Sequence, residues 1–331
     1  MTLFGCQSNK DHELKDYVGN ENQFSILKYE IDSIKNLFLE RYGFKDPKKE
    51  IAQIKKLLIN ELYEQDMDYI FNIIFPTPEF TVGNSPKLLV TSPRNKIERG
   101  SELLINSSIS LIEIEKIENA IEEEENLSSI IIDIGGIAAY PAIIKESNNQ
   151  RQLFLTFSHE WLHQYLIFHP LGRSYFSNTK MKEINETLAN IFSAKLLDSL
   201  CLKEFELKKE ICSIEDKVKN EFDYSKFMKN LRLDVDNLLL ERKILEAEKL
   251  MEDSALILNN NGFKIRKINQ AWFAFNGTYG DSPSSVSNID DELLKFIDNQ
   301  TTIKIAIDEL KNINSVNDYN ILIKDSADMK K

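Results

Sequence analysis

Ser158-His159-Glu160-Trp161-Leu162-His163-Gln164-Tyr165-Leu166 is the stretch on which the reading of this chain turns. It sets His-Glu-x-x-His inside an apolar run. In a helix, residues four apart stand one turn above each other on the same face, so His159 and His163 can aim two imidazole nitrogens at a single ion. Glu160 then falls beside the place where water on that ion needs a general base. Leu153, Phe154, Phe157, Trp161, Leu162 and Tyr165 supply an apolar face, and neither Gly nor Pro interrupts the chain between Arg151 and His169. Composition sharpens the signal: of the four His in the chain, three fall between positions 159 and 169.

A catalytic site of this kind takes three protein ligands and keeps one position open. Two side chains compete for the third place. Glu186 lies in Asn185-Glu186-Thr187-Leu188-Ala189-Asn190 on the next predicted helix, Lys180 to Leu200, whose buried side carries Ile184, Leu188, Ile191, Phe192 and Leu196. His169 follows His163 directly, before Pro170. Backbone geometry favours Glu186. On a continuing helix His169 would stand about 9 Å further along the axis than His163, too far to share the ion. A sharp fold-back would need a residue tolerant of positive φ where Leu166 stands, and Pro170 sets the helix end after His169, not before it.

The rest of the chain reads as scaffold for this pair. Residues 22–75 carry a helical period, with a start signal at Asp46-Pro47 and a close at Pro76-Thr77-Pro78. Lys87 to Thr91, Leu103 to Asn106 and Ser129 to Ile134 read as strands, and Gly135-Gly136 permits close backbone approach. Ile112 to Asn126 is a polar helix whose Glu122 to Glu125 run is a solvated face. Glu204 to Asn259 predicts a pair of long packed helices; the aromatic segment Ile268 to Phe275, a loop from Gly277 to Pro283 and short amphipathic helices between Ile289 and Lys324 complete the chain. The expected division is a tail at 1–20, a helical region at 21–80, a core at 81–200 and a second helical region at 201–331.

Bulk numbers set the outer bounds. The chain has 331 residues, 42% hydrophobic and 28% charged, which suits a folded globular protein. A net charge of −12 without a basic stripe argues against nucleic acid as a partner. Eleven Gly and eight Pro point to a mostly helical build. Cys201 and Cys212 are expected as small buried hydrophobes instead of a disulfide pair. No apolar run reaches the roughly 20 residues of a spanning helix.

His159-Glu160-x-x-His163 with Asn185-Glu186-x-x-Ala189-Asn190 on the following helix resembles the gluzincins, the thermolysin-like class of zinc metallopeptidases. Pro170-Leu171-Gly172-Arg173 and Asn269-Gln270-Ala271-Trp272-Phe273-Ala274-Phe275 are similar to bacterial proteins of this general type. The alternative with His169 as third ligand would have the spacing of metzincins. The gluzincin resemblance implies a predominantly helical α+β fold: a zincin-like core with a small mixed sheet packed on the active helix, and a second ligand-bearing helix. It also implies Zn2+ on His159, His163 and Glu186, Glu160 as general base, and a peptide or protein substrate. Asn190 takes the place of a residue that accepts a hydrogen bond from a ligand imidazole. Ile130 to Ile134 or Ile137 to Tyr140 would form the rim strand of the cleft, and Tyr279, Tyr140 or Arg173 would polarise the scissile carbonyl. Leu3-Phe4-Gly5-Cys6 resembles the end of a bacterial lipoprotein signal, which makes Cys6 a candidate membrane tether and the cell envelope the expected location; without the tether the cytoplasm is expected. Two rival readings are a helical scaffold protein in which His-Glu-x-x-His is fortuitous, and a degenerate protein that binds zinc without catalysis.

Overall fold

The computed structural model describes residues 9–41, 49–67, 69–70, 73–204, 209–213 and 222–328. The chain opens with three helices, α1 (Asn9–Val18), α2 (Ile26–Arg41) and α3 (Lys49–Glu64). Strands β1 (Tyr69–Ile70), β2 (Ile73–Ile74), β3 (Phe80–Gly83), β4 (Lys87–Pro93) and β5 (Glu102–Ile105) follow. Helix α4 (Leu111–Glu124) leads to β6 (Leu127–Asp133), β7 (Gly136–Ile137) and β8 (Ala142–Lys145). The rest is helical: α5 (Gln150–Leu166), α6 (Pro170–Arg173), α7 (Thr179–Glu204), α8 (Lys209–Cys212), α9 (Tyr224–Leu240), α10 (Ile244–Asn260), α11 (Gln270–Asn276), α12 (Ile289–Asp298), α13 (Ile303–Leu310) and α14 (Val316–Asp328). The fold is mainly helical α+β, as expected.

Two three-stranded sheets replace the single small sheet expected from the sequence. One is antiparallel in the order β5-β4-β6; the other is mixed in the order β3-β8-β7, with β3 and β8 parallel. Strand β4 is covered on both faces. Leu89 points to a cluster with Ile105, Ile121 and Ile131, while Leu88 and Val90 point the other way to Ile130, Ile143 and Ala271. That alternation is the period of two that a pleated strand imposes. Helix α4 begins with a capping box: Ser110 accepts from Glu113 N–H, and the Glu113 carboxylate accepts from Ser110 N–H.

The largest core forms where α5 lies along α7, with α3 and α12 to α14 closing around them. Asn149 caps α5, its Oδ1 accepting from Gln152 N–H at 2.9 Å. Phe154, Phe157, Trp161 and Tyr165 recur at threes and fours and are buried. Trp161 stacks on Tyr165 and Phe192 with centroids 5.6 and 5.9 Å apart, and its indole N–H donates to the Pro76 carbonyl at 2.8 Å. Burying a side chain of this size is worth on the order of 2–3 kcal/mol. The mixed sheet rests on the same helix through Ala142 and Ile144 of β8.

Several expectations change. The helical reading of 22–75 ends at Glu64: Asp66 adopts a φ of 52°, and the chain enters β1 and β2, which pair antiparallel. Helix α5 stops at Leu166, not at His169. His169 is extended (φ −120°, ψ 160°), the conformation that the ring of a following proline favours, so Pro170 acts one residue further back than a simple helix stop. Residues 9–18, inside the segment read as a tail, form α1, and its Leu14 and Val18 are buried in the cluster with α4. Cys201 and Cys212 are disulfide-bonded with Cα atoms 5.5 Å apart, because α8 returns alongside α7. Cys6 lies outside the described residues. Among the described residues no helix is long and apolar enough to cross a membrane.

Candidate metal centre

The ligand-bearing faces of α5 and α7 are the ones their cores leave free. With Phe154, Phe157, Trp161 and Tyr165 committed to the interior, the spacing of α5 turns Gln152, Thr156, His159, Glu160 and His163 to one cavity. On α7, Ile184, Leu188 and Phe192 are buried, and Glu186, Asn190 and Ser193 face the same space. The cavity has a volume of about 540 Å³. Its other walls are the Asp133–Ala138 stretch with β7, the Tyr175–Phe176 turn, and Phe275, Tyr279 and Asp281.

Three atoms converge in it. His159 Nε2 and His163 Nε2 are 3.1 Å apart, and Glu186 Oε2 lies 3.3 Å from the first and 3.5 Å from the second. Ligands about 2.05 Å from a tetrahedral ion are separated by roughly 3.3 Å. The spacing therefore fits one small ion, and the donor set of two imidazoles and a carboxylate is that of a transition metal site. Among the described residues, this is the group of His, Cys, Asp and Glu placed to hold a metal ion. His169 is not in it; its ring lies against Tyr165 with centroids 4.6 Å apart.

The surroundings shift the carboxyl groups in opposite directions. Burial pushes the Glu186 carboxyl up, but His163 and His159 override it and hold the group well below the usual carboxylate range. The Tyr175 hydroxyl donates to Glu186 Oε1, the oxygen turned away from the imidazoles, and its ring meets His163 edge-on at 5.9 Å. Glu160 is 7% exposed, and burial lifts its carboxyl to about 7, with His159 opposing and Glu186 adding. Its carboxylate sits against β7: a Cβ on Gly136 would come within 2.6 Å of Glu160 Oε1. What approaches Gly136 is this side chain, not the backbone expected from the sequence, and Gly135 has open space beside it.

The remaining candidates divide. Tyr279 lines the cavity, its ring edge-on to Phe275 at 5.7 Å; burial and Glu186 keep its hydroxyl protonated by raising it well above the ordinary tyrosine value. Tyr140 does not line the cavity: it is 40% exposed, and its hydroxyl donates to the Thr77 carbonyl at 3.3 Å. Arg173 is also outside, with Nη2 donating to the Phe168 carbonyl at 2.8 Å. Asn190 reaches the cavity, where its Nδ2 donates to Asp281 Oδ1 at 2.9 Å. Asp133–Ala138 lines the cavity and overlaps both stretches expected for the rim, the end of the first and the start of the second.

Sequence reasoning missed Tyr175 and a charged cluster of Arg99, Glu102 and Lys182 on the inner wall. Arg99 Nε donates to Glu102 Oε1, and Lys182 Nζ donates to Glu102 Oε2 at 2.9 Å. Burial raises the Glu102 carboxyl, but Arg99 and Lys182 outweigh it and hold the group low; burial and Arg99 pull the Lys182 ammonium down. Tyr175 follows α6 in a turn, and Arg99 precedes β5 in a loop, so neither carries a periodic signal. No family model, curated protein or solved structure matches the chain.

Proposed function

We propose that this chain is a zinc-dependent metallopeptidase of the gluzincin type with a zincin-like core. The observation that carries the reading is the convergence of His159 Nε2, His163 Nε2 and Glu186 Oε2 within 3.1 to 3.5 Å, with the Glu160 carboxylate beside them in a cavity. Zinc, when bound, acidifies water and polarises a carbonyl oxygen. His159, His163 and Glu186 hold the ion, and Tyr175 orients the Glu186 carboxylate through its second oxygen. Glu160 accepts the proton of the attacking water and delivers it to the leaving amine nitrogen. Tyr279 donates its hydroxyl proton in a hydrogen bond to the scissile carbonyl oxygen. Strand β7 ends its sheet and lines the cavity, which supports an extended peptide pairing along its edge. The Cys201–Cys212 disulfide supports the cell-envelope location, because such bonds persist in oxidising compartments.

The test is metal content and peptide hydrolysis measured on the same preparations. Wild type is expected to hold one zinc per chain and cleave peptides, Glu160→Gln to hold zinc and be inactive, and Glu186→Ala to lose zinc. A wild type that holds zinc and cleaves no peptide supports a metal-binding protein without catalysis. Zinc lost from His169→Ala but kept by Glu186→Ala overturns the ligand set.

A further inference from the structure

The inner wall of the cavity carries a charge imbalance that the metal centre does not use. Arg99, Glu102 and Lys182 have side chains only 5%, 13% and 11% exposed. Two cations thus face one carboxylate in a nearly dry place. Excess charge is costly there, because the water that would solvate it is kept out. Beyond Glu102 the direct hydrogen-bond and ring partners of the cluster are neutral, and Glu186 is a further negative charge acting on Lys182. Thr278 Oγ1 accepts from Arg99 Nη1 at 2.9 Å, Phe275 lies 5.0 Å from the guanidinium, and Tyr175 and Phe176 lie 5.4 and 5.3 Å from Lys182 Nζ. Of the cavity's further carboxylates, Glu160 and Glu186 belong to the candidate metal centre, Asp133 is engaged with Lys87 and Lys145, and Asp281 with Asn190.

The cluster is also aimed. Arg99 and Glu102 line the same cavity as His159 and Glu186. Among the described residues Arg99 Nη2 makes no hydrogen bond, since Nε is taken by Glu102 and Nη1 by Thr278. One tyrosine separates the two centres: the Tyr175 hydroxyl is on Glu186, and its ring faces Lys182. A guanidinium with an unbonded terminal nitrogen offers a carboxylate oxygen a charge-assisted donor.

We propose that this wall is a carboxylate subsite, in which Arg99, backed by Lys182, receives a carboxylate of the substrate whose scissile bond lies at His159, His163 and Glu186. The inference rests on the peptidase reading and narrows it to substrates with a negative charge a short distance from the cleaved bond. A free C-terminus and an Asp or Glu side chain present the same chemistry. The first makes the protein a carboxypeptidase, the second an endopeptidase selective for acidic residues.

The experiment uses full-length Glu160→Gln protein loaded with zinc, so that peptides bind without turnover. Calorimetry compares two pairs of short N-acetylated peptides: one pair differs only in a free or amidated C-terminus, the other, amidated throughout, only in an internal Glu or Gln. The carboxylate member of one pair is expected to bind at least about tenfold more tightly than its neutral twin, and which pair shows the difference identifies the source. Arg99→Lys in the same background is expected to narrow that ratio, since an ammonium keeps the charge but loses the fork. Equal affinities within both pairs, or no binding by any peptide, overturns the subsite. The same peptides given to wild type separate the two readings. Carboxylate-dependent binding without cleavage counts against the peptidase and leaves the subsite; cleavage of both pairs with equal binding does the reverse.

Discussion

At the scale of single residues, the candidate metal centre was legible where helix geometry alone fixes position. His159 and His163 are one turn apart on α5, and no tertiary contact is needed to bring their nitrogens together. Glu186 was legible because the loop between the helices leaves it few other places; His169 stands aside against Tyr165, although α5 ends at Leu166 and not, as the sequence predicts, after His169. Tyr175 was not, since a turn residue has no periodicity to betray its direction. Its hydrogen bond to Glu186 nevertheless orients a ligand, so Tyr175→Phe is expected to weaken metal binding about 10- to 100-fold, read by competition against a chelator of known affinity. Gly136 offers a second test. An added methyl would press on Glu160 Oε1 from 2.6 Å, so Gly136→Ala is expected to lower turnover at least about tenfold with zinc content unchanged. Asn190 stands on the expected face of α7, and its Nδ2 is held by the Asp281 carboxylate, supplied by a loop remote in sequence that turn counting does not see.

At the scale of elements, long periodic segments were read well and short ones were not. Helices α5 and α7 and strands β4 and β6 fall within a few residues of their expected bounds, because each buries a stripe whose spacing is visible in one dimension; the pair expected from Glu204 to Asn259 is present as α9 and α10, but α9 begins only at Tyr224. Strands β3, β7 and β8 were missed or only partly seen: none exceeds four residues, and what makes them strands is pairing between segments far apart in the chain. The same blindness to tertiary return hid the Cys201–Cys212 bond. It closes a loop of 11 residues and fastens α8 beside the start of α5, where Arg151 Nη1 donates to the Ile211 carbonyl at 3.4 Å. Cys201→Ser with Cys212→Ser is expected to lower stability by about 2.7 kcal/mol from loop entropy alone, measured by urea unfolding under non-reducing conditions. An equal midpoint for the two proteins would show that the bond does not constrain the unfolded chain.

At the scale of the whole molecule, distant segments are joined by a buried ionic knot as well as by apolar packing. Glu118 of α4, with a side chain 2% exposed, accepts from both terminal nitrogens of Arg266 at 2.9 and 2.5 Å and from the backbone N–H of Ile131 at 2.7 Å. Lys267 adds a bond to Glu122 at 2.6 Å. These contacts tie α4 and β6 to the approach of α11, which carries Phe275 and leads to Tyr279 in the cavity wall. Removing the carboxylate leaves a guanidinium facing a buried N–H without its partner. Glu118→Ala is therefore expected to cost about 3 kcal/mol. If the knot positions the far wall, peptide turnover should fall in folded Glu118→Ala protein while its zinc content stays at the wild-type level.

The turn between the two ligand helices works as a measured spacer. Gly172 of α6 lies so close to the end of α5 that a Cβ would fall on the Leu166 carbonyl oxygen, and that contact lets the chain reverse within the few residues before Tyr175 and α7. A side chain there would press on the backbone at the end of α5 and force the turn apart. Any chain that assembles this centre in the same way has to keep a glycine nine positions after the second histidine and a glutamate fourteen positions beyond that glycine. That joint spacing is a pattern by which distant members of the same lineage can be picked out of unaligned sequences.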